Sequence, residues 1–210
     1  MKLIGMLDSP YVRRVAVSLQ LLDVQFEHQS LSVFSTYDQF RQINPVVKAP
    51  TLVDDDGAVL MDSTLILQYA EALARPSARR TPTMPTELFR SQRLLGLALA
   101  ACDKAVQIVY ERGVRPAEKL HQPWVDRVSQ QLLAALDMLE AEQIKQPLDV
   151  TSDTIAPPGV MIAVTWHFIQ QMLPDVVVAA RYPALADYSR QAEALPEFKA
   201  APHGDGTYQA

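Results

Sequence analysis

Two serine-containing segments and one proline lie at the starts of predicted elements. Ser9-Pro10 precedes a run of apolar residues at helical spacing, and Asp62-Ser63 precedes a second such run. A hydroxyl at a helix N-terminus lies where free backbone N–H groups stabilise an anion. On the residues alone, N-capping is the favoured interpretation of Ser9 and explains Asp62-Ser63 at least as well as an anion site does. Pro50 can likewise mark only the beginning of a strand, where its missing N–H is tolerated.

The segments around these residues alternate between strand and helix patterns. Alternating apolar residues predict strands, and apolar residues three and four apart predict helices. The predicted elements are a strand at 2–7, a helix from Pro10, a strand at 24–29, a helix at 37–43 behind a Thr36-x-x-Gln39 capping box, strands at 51–53 and 59–61 around the turn 54–57, and a helix after Asp62-Ser63. The order β-α-β-α-β-β-α predicts an α/β domain over residues 1–75.

The pattern changes after residue 75. Residues 76–86 contain three prolines and no apolar periodicity, which is typical of a linker. Apolar residues then recur at helical spacing and predict helices at 87–111, 125–139, 155–172 and 184–194. The sequence therefore predicts an all-helical domain over residues 87–210.

The composition excludes several classes of function. The 210 residues include 19 basic and 24 acidic side chains, for a formal charge of −5, so the chain lacks the basic surface that nucleic acid requires. The single cysteine, Cys102, excludes an intramolecular disulfide and a two-cysteine redox motif, and we expect it to be buried. We expect no metal, because no histidine has ligand spacing. The four histidines are His28, His121, His167 and His203.

Targeting signals are also missing from the pattern. The start of the sequence lacks a long apolar core, and the most apolar later stretch is far shorter than the roughly 20 residues of a membrane span. We therefore expect a soluble protein in a reducing cytoplasm, with no membrane partner.

Three segments taken together resemble the glutathione transferases. They are Ser9-Pro10-Tyr11-Val12-Arg13-Arg14, Asn44-Pro45-Val46-Val47-Lys48-Ala49-Pro50-Thr51-Leu52 and Asp62-Ser63, in the order and spacing of that family. The resemblance covers nearly the whole chain, including a Leu195–Pro202 ending similar to that of many bacterial members. It implies a thioredoxin-like first domain that binds glutathione and an all-helical second domain that contributes the electrophile site.

The resemblance assigns the catalytic role to Ser9. In serine-type members this hydroxyl donates a hydrogen bond to the sulfur of glutathione, which is a co-substrate here. A free thiol has a pKa of about 8.5, and only its thiolate is a competent nucleophile. Tyr11 is a competing hydroxyl, but it lies inside the predicted helix. No cysteine stands at position 9, which argues against thiol-exchange chemistry.

The resemblance also implies the glutathione contacts. A cis Ala49–Pro50 bond would turn the backbone of Ala49 toward the cysteinyl residue, and Lys48 would pair with the glycyl carboxylate. Ser63 would hold the γ-glutamyl α-carboxylate at a helix N-terminus, while Asp62 would face the α-amino group. A carboxylate and a cluster of N–H groups would thus meet opposite ends of a zwitterion.

The electrophile site is less well determined by the sequence. Arg13 has two alternative roles, since it can approach the γ-glutamyl carboxylate or join the two domains. For Tyr110 and Trp166, packing in the core is an alternative to substrate contact. The candidate substrate-binding residues are Phe34, Asp103, Gln107, Tyr110 and Trp166.

One segment departs from the family pattern. Thr154-Ile155-Ala156-Pro157-Pro158 stands where many members begin a core helix with a Ser/Thr-x-x-Asp capping box. Pro157 supplies no carboxylate for such a cap, so this helix start is expected to differ.

These observations favour one function and leave others open. The favoured hypothesis is a glutathione transferase that acts in detoxification as a homodimer, with Ser9 stabilising the thiolate for attack on a small hydrophobic electrophile. The first alternative is a glutathione transferase-fold protein that binds or regulates with little turnover. The second is a glutathione-dependent isomerase or dehalogenase.

Overall fold

A computed structural model describes residues 1–209 of the chain. The described residues form two compact units. The first contains residues 1–81 together with 151–154 and 193–209, and the second contains residues 82–150 and 155–192. The sequence predicts a contiguous division near residue 76, whereas the first unit also includes two later segments.

The first unit is built on a four-stranded mixed sheet. Its elements are β1 (Lys2–Ile4), α1 (Pro10–Leu21), β2 (Glu27–Gln29), α2 (Tyr37–Ile43), β3 (Thr51–Val53), β4 (Val59–Leu60) and α3 (Ser63–Leu73). The strand order is β2-β1-β3-β4, with β1 parallel to β2 and antiparallel to β3, and with β3 antiparallel to β4. The predicted order of elements and the α/β class are confirmed.

Strand β1 is shorter than the predicted strand at 2–7. Gly5 follows it with a φ of +137°, a conformation that is open to glycine and disfavoured for other residues. A Cβ at Gly5 would lie 2.6 Å from Val12 Cγ2, so α1 packs directly against the backbone here. The prediction of strand beyond Ile4 is therefore wrong, because the backbone must turn where α1 approaches it.

The predicted capping box before α2 is also wrong. Thr36 precedes the helix, but its side chain makes no capping hydrogen bond. Its Oγ1 instead accepts from the Ser32 N–H at 2.8 Å and donates to the Ser32 carbonyl at 3.0 Å. The Thr36 hydroxyl thus stabilises the turn 32–36 and does not cap α2.

The second unit is helical, as predicted. Its helices are α4 (Pro85–Gly113), α5 (Gln122–Lys145), α6 (Pro157–Met172) and α7 (Pro183–Glu193), whose last residue belongs to the first unit. Cys102 is buried on α4, which confirms its predicted packing role. Helix α6 begins at Pro157 without a side-chain cap, since proline suits a first helical position and lacks a donor.

Arg13 makes several of the contacts that join the first unit to residues from position 193 onward. The side chain is buried, with 2% of its surface exposed, and donates to both carboxylate oxygens of Glu193 at 2.5 and 2.6 Å. Its Nε donates to the Ala201 carbonyl at 2.7 Å, and its guanidinium lies 5.7 Å from the centre of the Phe198 ring. The short helix α8 (Pro196–Ala200) is thereby held against α1.

We predict that Arg13→Ala strongly destabilises the first unit. The change leaves the Glu193 carboxylate without its guanidinium in a partly buried position, which costs about 3–5 kcal/mol when a buried pair loses one partner. Arg41→Ala is the matched control, because Arg41 pairs with Asp38 at 3.3 Å on the exposed surface and should contribute at most about 1 kcal/mol. The measurement is the urea unfolding midpoint, and equal midpoints for the two variants would contradict the role of Arg13.

Candidate functional site

The sheet topology brings the predicted site segments to one end of the first unit. Strands β1 and β2 are parallel, so both run toward the same end, while antiparallel β3 starts there and β4 finishes there. The segments 5–9, 48–50 and 61–63 therefore share this end of the sheet. A close approach supports this placement, since a Cβ at Gly5 would lie 3.3 Å from the Cβ of Ala49.

Ser9 is the N-cap of α1. Its backbone is extended, with φ −71° and ψ 120°, and its Oγ accepts a hydrogen bond from the Val12 N–H at 3.5 Å. The capping interaction uses only the oxygen as acceptor, so the hydroxyl proton stays available as a donor. Capping and donation to a ligand are thus compatible at this residue. Tyr11, the competing hydroxyl, lies within α1.

A buried asparagine organises the loop before β3. Asn44 Nδ2 donates to Thr51 Oγ1 at 2.8 Å and to Met61 Sδ at 3.3 Å, while its Oδ1 accepts from the Val46 N–H. Thr51 Oγ1 in turn donates to the Lys48 carbonyl at 2.6 Å. These bonds tie the loop to its own strand and to the segment that leads into α3.

The same loop contains the predicted cis proline. The Ala49–Pro50 bond is cis, which confirms the geometry that the resemblance implies, and Pro50 is buried while Lys48 is exposed. Val47 has a φ of +52°, in the left-handed region that β-branched residues rarely adopt. Such strain concentrates where the surroundings impose a special backbone, as at binding sites.

The start of α3 combines a carboxylate, a hydroxyl and a guanidinium. Asp62 is the N-cap, and its Oδ1 accepts from the N–H groups of Thr64 at 2.8 Å and of Leu65 at 3.3 Å. Ser63 is buried, with 3% exposed, and its Oγ accepts from Arg14 Nη1 at 3.2 Å. Arg14 Nη1 also donates to Thr64 Oγ1 at 3.3 Å. A buried positive charge therefore stands beside this helix N-terminus.

Asp8 adds an acidic group next to Ser9. Burial raises the pKa of the Asp8 carboxyl, a hydrogen bond from the Ser9 N–H lowers it, and the nearby charge of Asp205 raises it. The net effect is a raised pKa. The backbone of the cap residue is thus in contact with a titratable group.

The residues predicted to contact the electrophile differ in burial and do not all belong to the same unit. Asp103 accepts from Gln107 Nε2 at 2.8 Å and pairs with Lys104 at 2.9 Å, about two turns before the half-exposed Tyr110 on α4. Trp166 is buried with 6% exposed, and its ring meets that of Tyr182 edge-on at 5.9 Å. The remaining candidate, Phe34, belongs to the first unit and is 55% exposed.

Three residues of the site are missed by the sequence argument. Asn44 is predicted only to end α2, Arg14 has no assigned role, and Val47 has none. The Asn44-Pro45 pair hints at a turn, but its long-range partners carry no local signal. Two roles are predicted for Arg13, and the contacts are nearer to the second, that of joining the two domains. Its partners Glu193 and Ala201 lie within the predicted second domain, residues 87–210, but they belong to the compact first unit.

The described residues contain neither a candidate metal centre nor a helix that could span a membrane. Within residues 1–209, histidine, cysteine, aspartate and glutamate form no cluster of three that could hold a metal. Among the helices described for this chain, none combines the length and apolar character needed to cross a membrane.

Comparison with known proteins shows a consistent likeness to glutathione S-transferases. Residues 3–78 match the model for the glutathione S-transferase N-terminal domain. The uncharacterized GST-like protein YibF of Escherichia coli is 27% identical over 174 residues, which are 83% of this chain and 85% of that protein. Glutathione S-transferase U4 of Arabidopsis thaliana is 29% identical over 118 residues, covering 56% of this chain and half of the plant protein.

Solved structures extend the likeness to the whole chain. A glutathione transferase family member from Pseudomonas fluorescens, solved with bound glutathione, has a TM-score of 0.82 and 28% identity over 97% of this chain and 98% of its own. A glutathione S-transferase from Methylobacterium radiotolerans, in complex with glutathione sulfonate, has a TM-score of 0.86 and 24% identity over 97% of this chain and 95% of its own, which supports the fold. The first unit is thioredoxin-like, and its residues 3–78 belong to the glutathione S-transferase N-terminal domain family.

Proposed function

We propose that this chain is a glutathione transferase in which Ser9 stabilises the glutathione thiolate for attack on a small hydrophobic electrophile. The observation that carries the proposal is the geometry of the α1 cap. The Ser9 oxygen accepts from the Val12 N–H, which leaves the hydroxyl proton for a bound sulfur. The helix N-terminus adds a favourable field for a negative charge at that position.

The magnitude of this stabilisation suits the chemistry. A hydrogen bond to a charged group contributes roughly 1.5–3 kcal/mol, and one pKa unit corresponds to about 1.36 kcal/mol. One donor therefore lowers the thiol pKa by roughly one to two units from about 8.5. A useful fraction of the bound thiol is then ionised at neutral pH. The thiol proton is released to solvent, and the thiolate then forms the new S–C bond. With an aryl halide the C–halogen bond breaks and the halide leaves with its electron pair, while Ser9 acts only as a donor.

The remaining contacts hold glutathione along the sheet end. We assign the Ala49 backbone beside Pro50 to the cysteinyl residue and Lys48 to the glycyl carboxylate. The buried Ser63–Arg14 contact supports a site for the γ-glutamyl α-carboxylate: because Arg14 donates to Ser63 Oγ, the Ser63 proton can point to the anion. Asp62 uses Oδ1 for its cap, and its other oxygen is assigned to the α-amino group.

The bound ligand of a relative supports the same assignment. The Pseudomonas fluorescens protein described above holds glutathione, and it shares both fold and 28% identity with this chain over nearly its full length. Glutathione is thus the proposed co-substrate, and no metal is required by the mechanism.

The electrophile contacts form part of the proposal. Tyr110 of the second unit exposes its ring, which supports a role in contacting an apolar substrate, and the Asp103–Gln107 pair adds polar groups on the same helix. Phe34 of the first unit also exposes its ring and is assigned separately as a substrate contact. Trp166 receives less support, since its burial and its contact with Tyr182 are those of a core residue.

We predict that Ser9→Ala raises the thiol pKa of bound glutathione by roughly one to two units and lowers turnover at neutral pH about tenfold or more. Binding should change little, because the peptide contacts persist. Thiolate absorbance against pH and a conjugation assay with a small aryl halide measure the two effects. Ser77→Ala is the control, because Ser77 is exposed and lies outside the site.

Calorimetric titration of the unmodified protein with glutathione separates the possible functions. Binding with turnover supports the transferase, whereas binding without turnover indicates a binding or regulatory protein. An unchanged thiol pKa in Ser9→Ala would contradict the role of Ser9, and failure to bind glutathione would overturn the proposed site.

We predict that Ser63→Ala raises the Kd for glutathione about tenfold or more, because it removes a hydrogen bond to a charged carboxylate. The matched control is Ser18→Ala, which alters another buried serine of the same unit. Titration calorimetry on both variants is the measurement. Equal affinities for the two variants would place the γ-glutamyl carboxylate elsewhere.

The proposal includes a homodimer and a cytoplasmic role in detoxification. We predict that sedimentation velocity gives a particle of about twice the 23.4 kDa chain mass at working concentration. A single species at the monomer mass would contradict the dimer while leaving the glutathione site of each chain intact.

A further inference from the structure

Residues 202–209 form a strap beside the edge strand β2. The Ser30 hydroxyl donates to the Asp205 carbonyl at 2.7 Å. The ring of Tyr208 stacks on that of Phe26, with centroids 4.7 Å apart and planes inclined by 23°. The Tyr208 N–H donates to His28 Nδ1 at 2.9 Å. The strap is thus held beside β2 by a few contacts, and one of these contacts involves the titratable imidazole of His28.

The imidazole of His28 uses both ring nitrogens. Its Nδ1 accepts from the Tyr208 N–H, so this nitrogen carries no proton. Its Nε2 lies 2.7 Å from the Gly5 carbonyl, which only accepts, so Nε2 carries the proton. Both bonds are satisfied together only by the neutral imidazole. Protonation would place an N–H at Nδ1 facing the N–H of Tyr208.

We propose that residues 202–209 form a pH-dependent strap, which the neutral imidazole of His28 holds on β2 and which is released when that imidazole is protonated. This device goes beyond the proposed transferase function, because neither the contacts nor the switch requires glutathione.

The elements near His28 also contain charged and titratable groups. Glu27 lies on β2 itself and pairs with Lys2 of β1 at 3.5 Å, on the opposite face of the strand from its neighbour His28. The loop after β1 contributes Asp8. The titratable residues of the strap are His203, Asp205 and Tyr208. Carboxylates near an imidazole favour its charged form, and burial opposes it.

Burial is the larger effect at His28. It lowers the pKa of the imidazole from the ordinary value of 6.5, and the hydrogen bond with the Gly5 carbonyl compensates only partly. The released strap leaves His28 with a pKa nearer 6.5, so protons bind more strongly to the released state. The strap is therefore fully held above pH 6.5 and is weakened as the pH falls toward the lower pKa of the closed state. Between the two values, each pH unit lowers the closed-to-released ratio about tenfold.

Release of the strap also changes the surroundings of Ser9. Asp205 lies close enough to raise the pKa of the Asp8 carboxyl, which accepts a hydrogen bond from the Ser9 N–H. When the strap leaves, a negative charge leaves the neighbourhood of Asp8. The strap thus couples the protonation of His28 to the electrostatics beside the α1 N-terminus.

Selective ¹⁵N labelling of tyrosine tests the strap directly. The chain has 7 tyrosines, so the spectrum is simple, and Tyr208→Phe identifies the amide signal of Tyr208. We expect the heteronuclear NOE of that amide to be high at neutral pH and to fall as the pH is lowered to about 5. The midpoint should match the titration of the His28 imidazole, followed by its own proton signals.

Two variants make the result decisive. His28→Gln keeps an acceptor and a donor without titrating, so the Tyr208 signal should be independent of pH over this range. His121→Gln removes an exposed histidine of the second unit and should retain the wild-type transition. A Tyr208 amide that stays rigid while His28 titrates, or the same transition in His28→Gln, would overturn the strap proposal and leave the transferase assignment unaffected.

Discussion

Strand β1 is hydrogen-bonded on both sides, and the directions of its two neighbours determine which loops of the first unit can meet. Strand β2 is parallel to β1 and therefore ends where β1 ends, whereas β3 is antiparallel and begins there. Strand β4 adds its own end there. A helix N-terminus, a cis-proline loop and a second helix N-terminus consequently share one end of the sheet. Without this pairing the three segments of the site would not share one end of the sheet.

The site that results relies mainly on backbone groups and helix termini. Ser9 and Asp62 both cap helices with an oxygen that accepts, and each residue retains a second function: a hydroxyl proton in one case and a further carboxylate oxygen in the other. Structural and chemical roles therefore do not compete at these positions. A substitution that kept the cap but removed the donor would separate them. Because each residue caps a helix whether or not it also binds a ligand, capping alone accounts for the sequence pattern.

Local pattern predicts most of the fold, and long-range contacts account for what it misses. The helix from Pro10 and the strands around residues 54–57 follow from periodicity and turn chemistry, which act within a few residues. The end of β1 at Gly5 depends on the approach of Val12, and the role of Thr36 depends on Ser32. The inclusion of residues 193–209 in the first unit depends on contacts such as those of Arg13, whose partners lie 180 or more residues away along the chain.

The adjacent arginines 13 and 14 illustrate this limit most clearly. Successive residues on a helix point about 100° apart, so two identical side chains face different partners. Arg13 is turned to Glu193 and the Ala201 carbonyl, and its loss should affect stability. Arg14 is turned to Ser63 and Thr64 at the start of α3, and it can therefore polarise the hydroxyl assigned to the glutathione carboxylate. One position thus maintains the scaffold, whereas its neighbour contributes to the proposed binding site, and only their directions on α1 distinguish them.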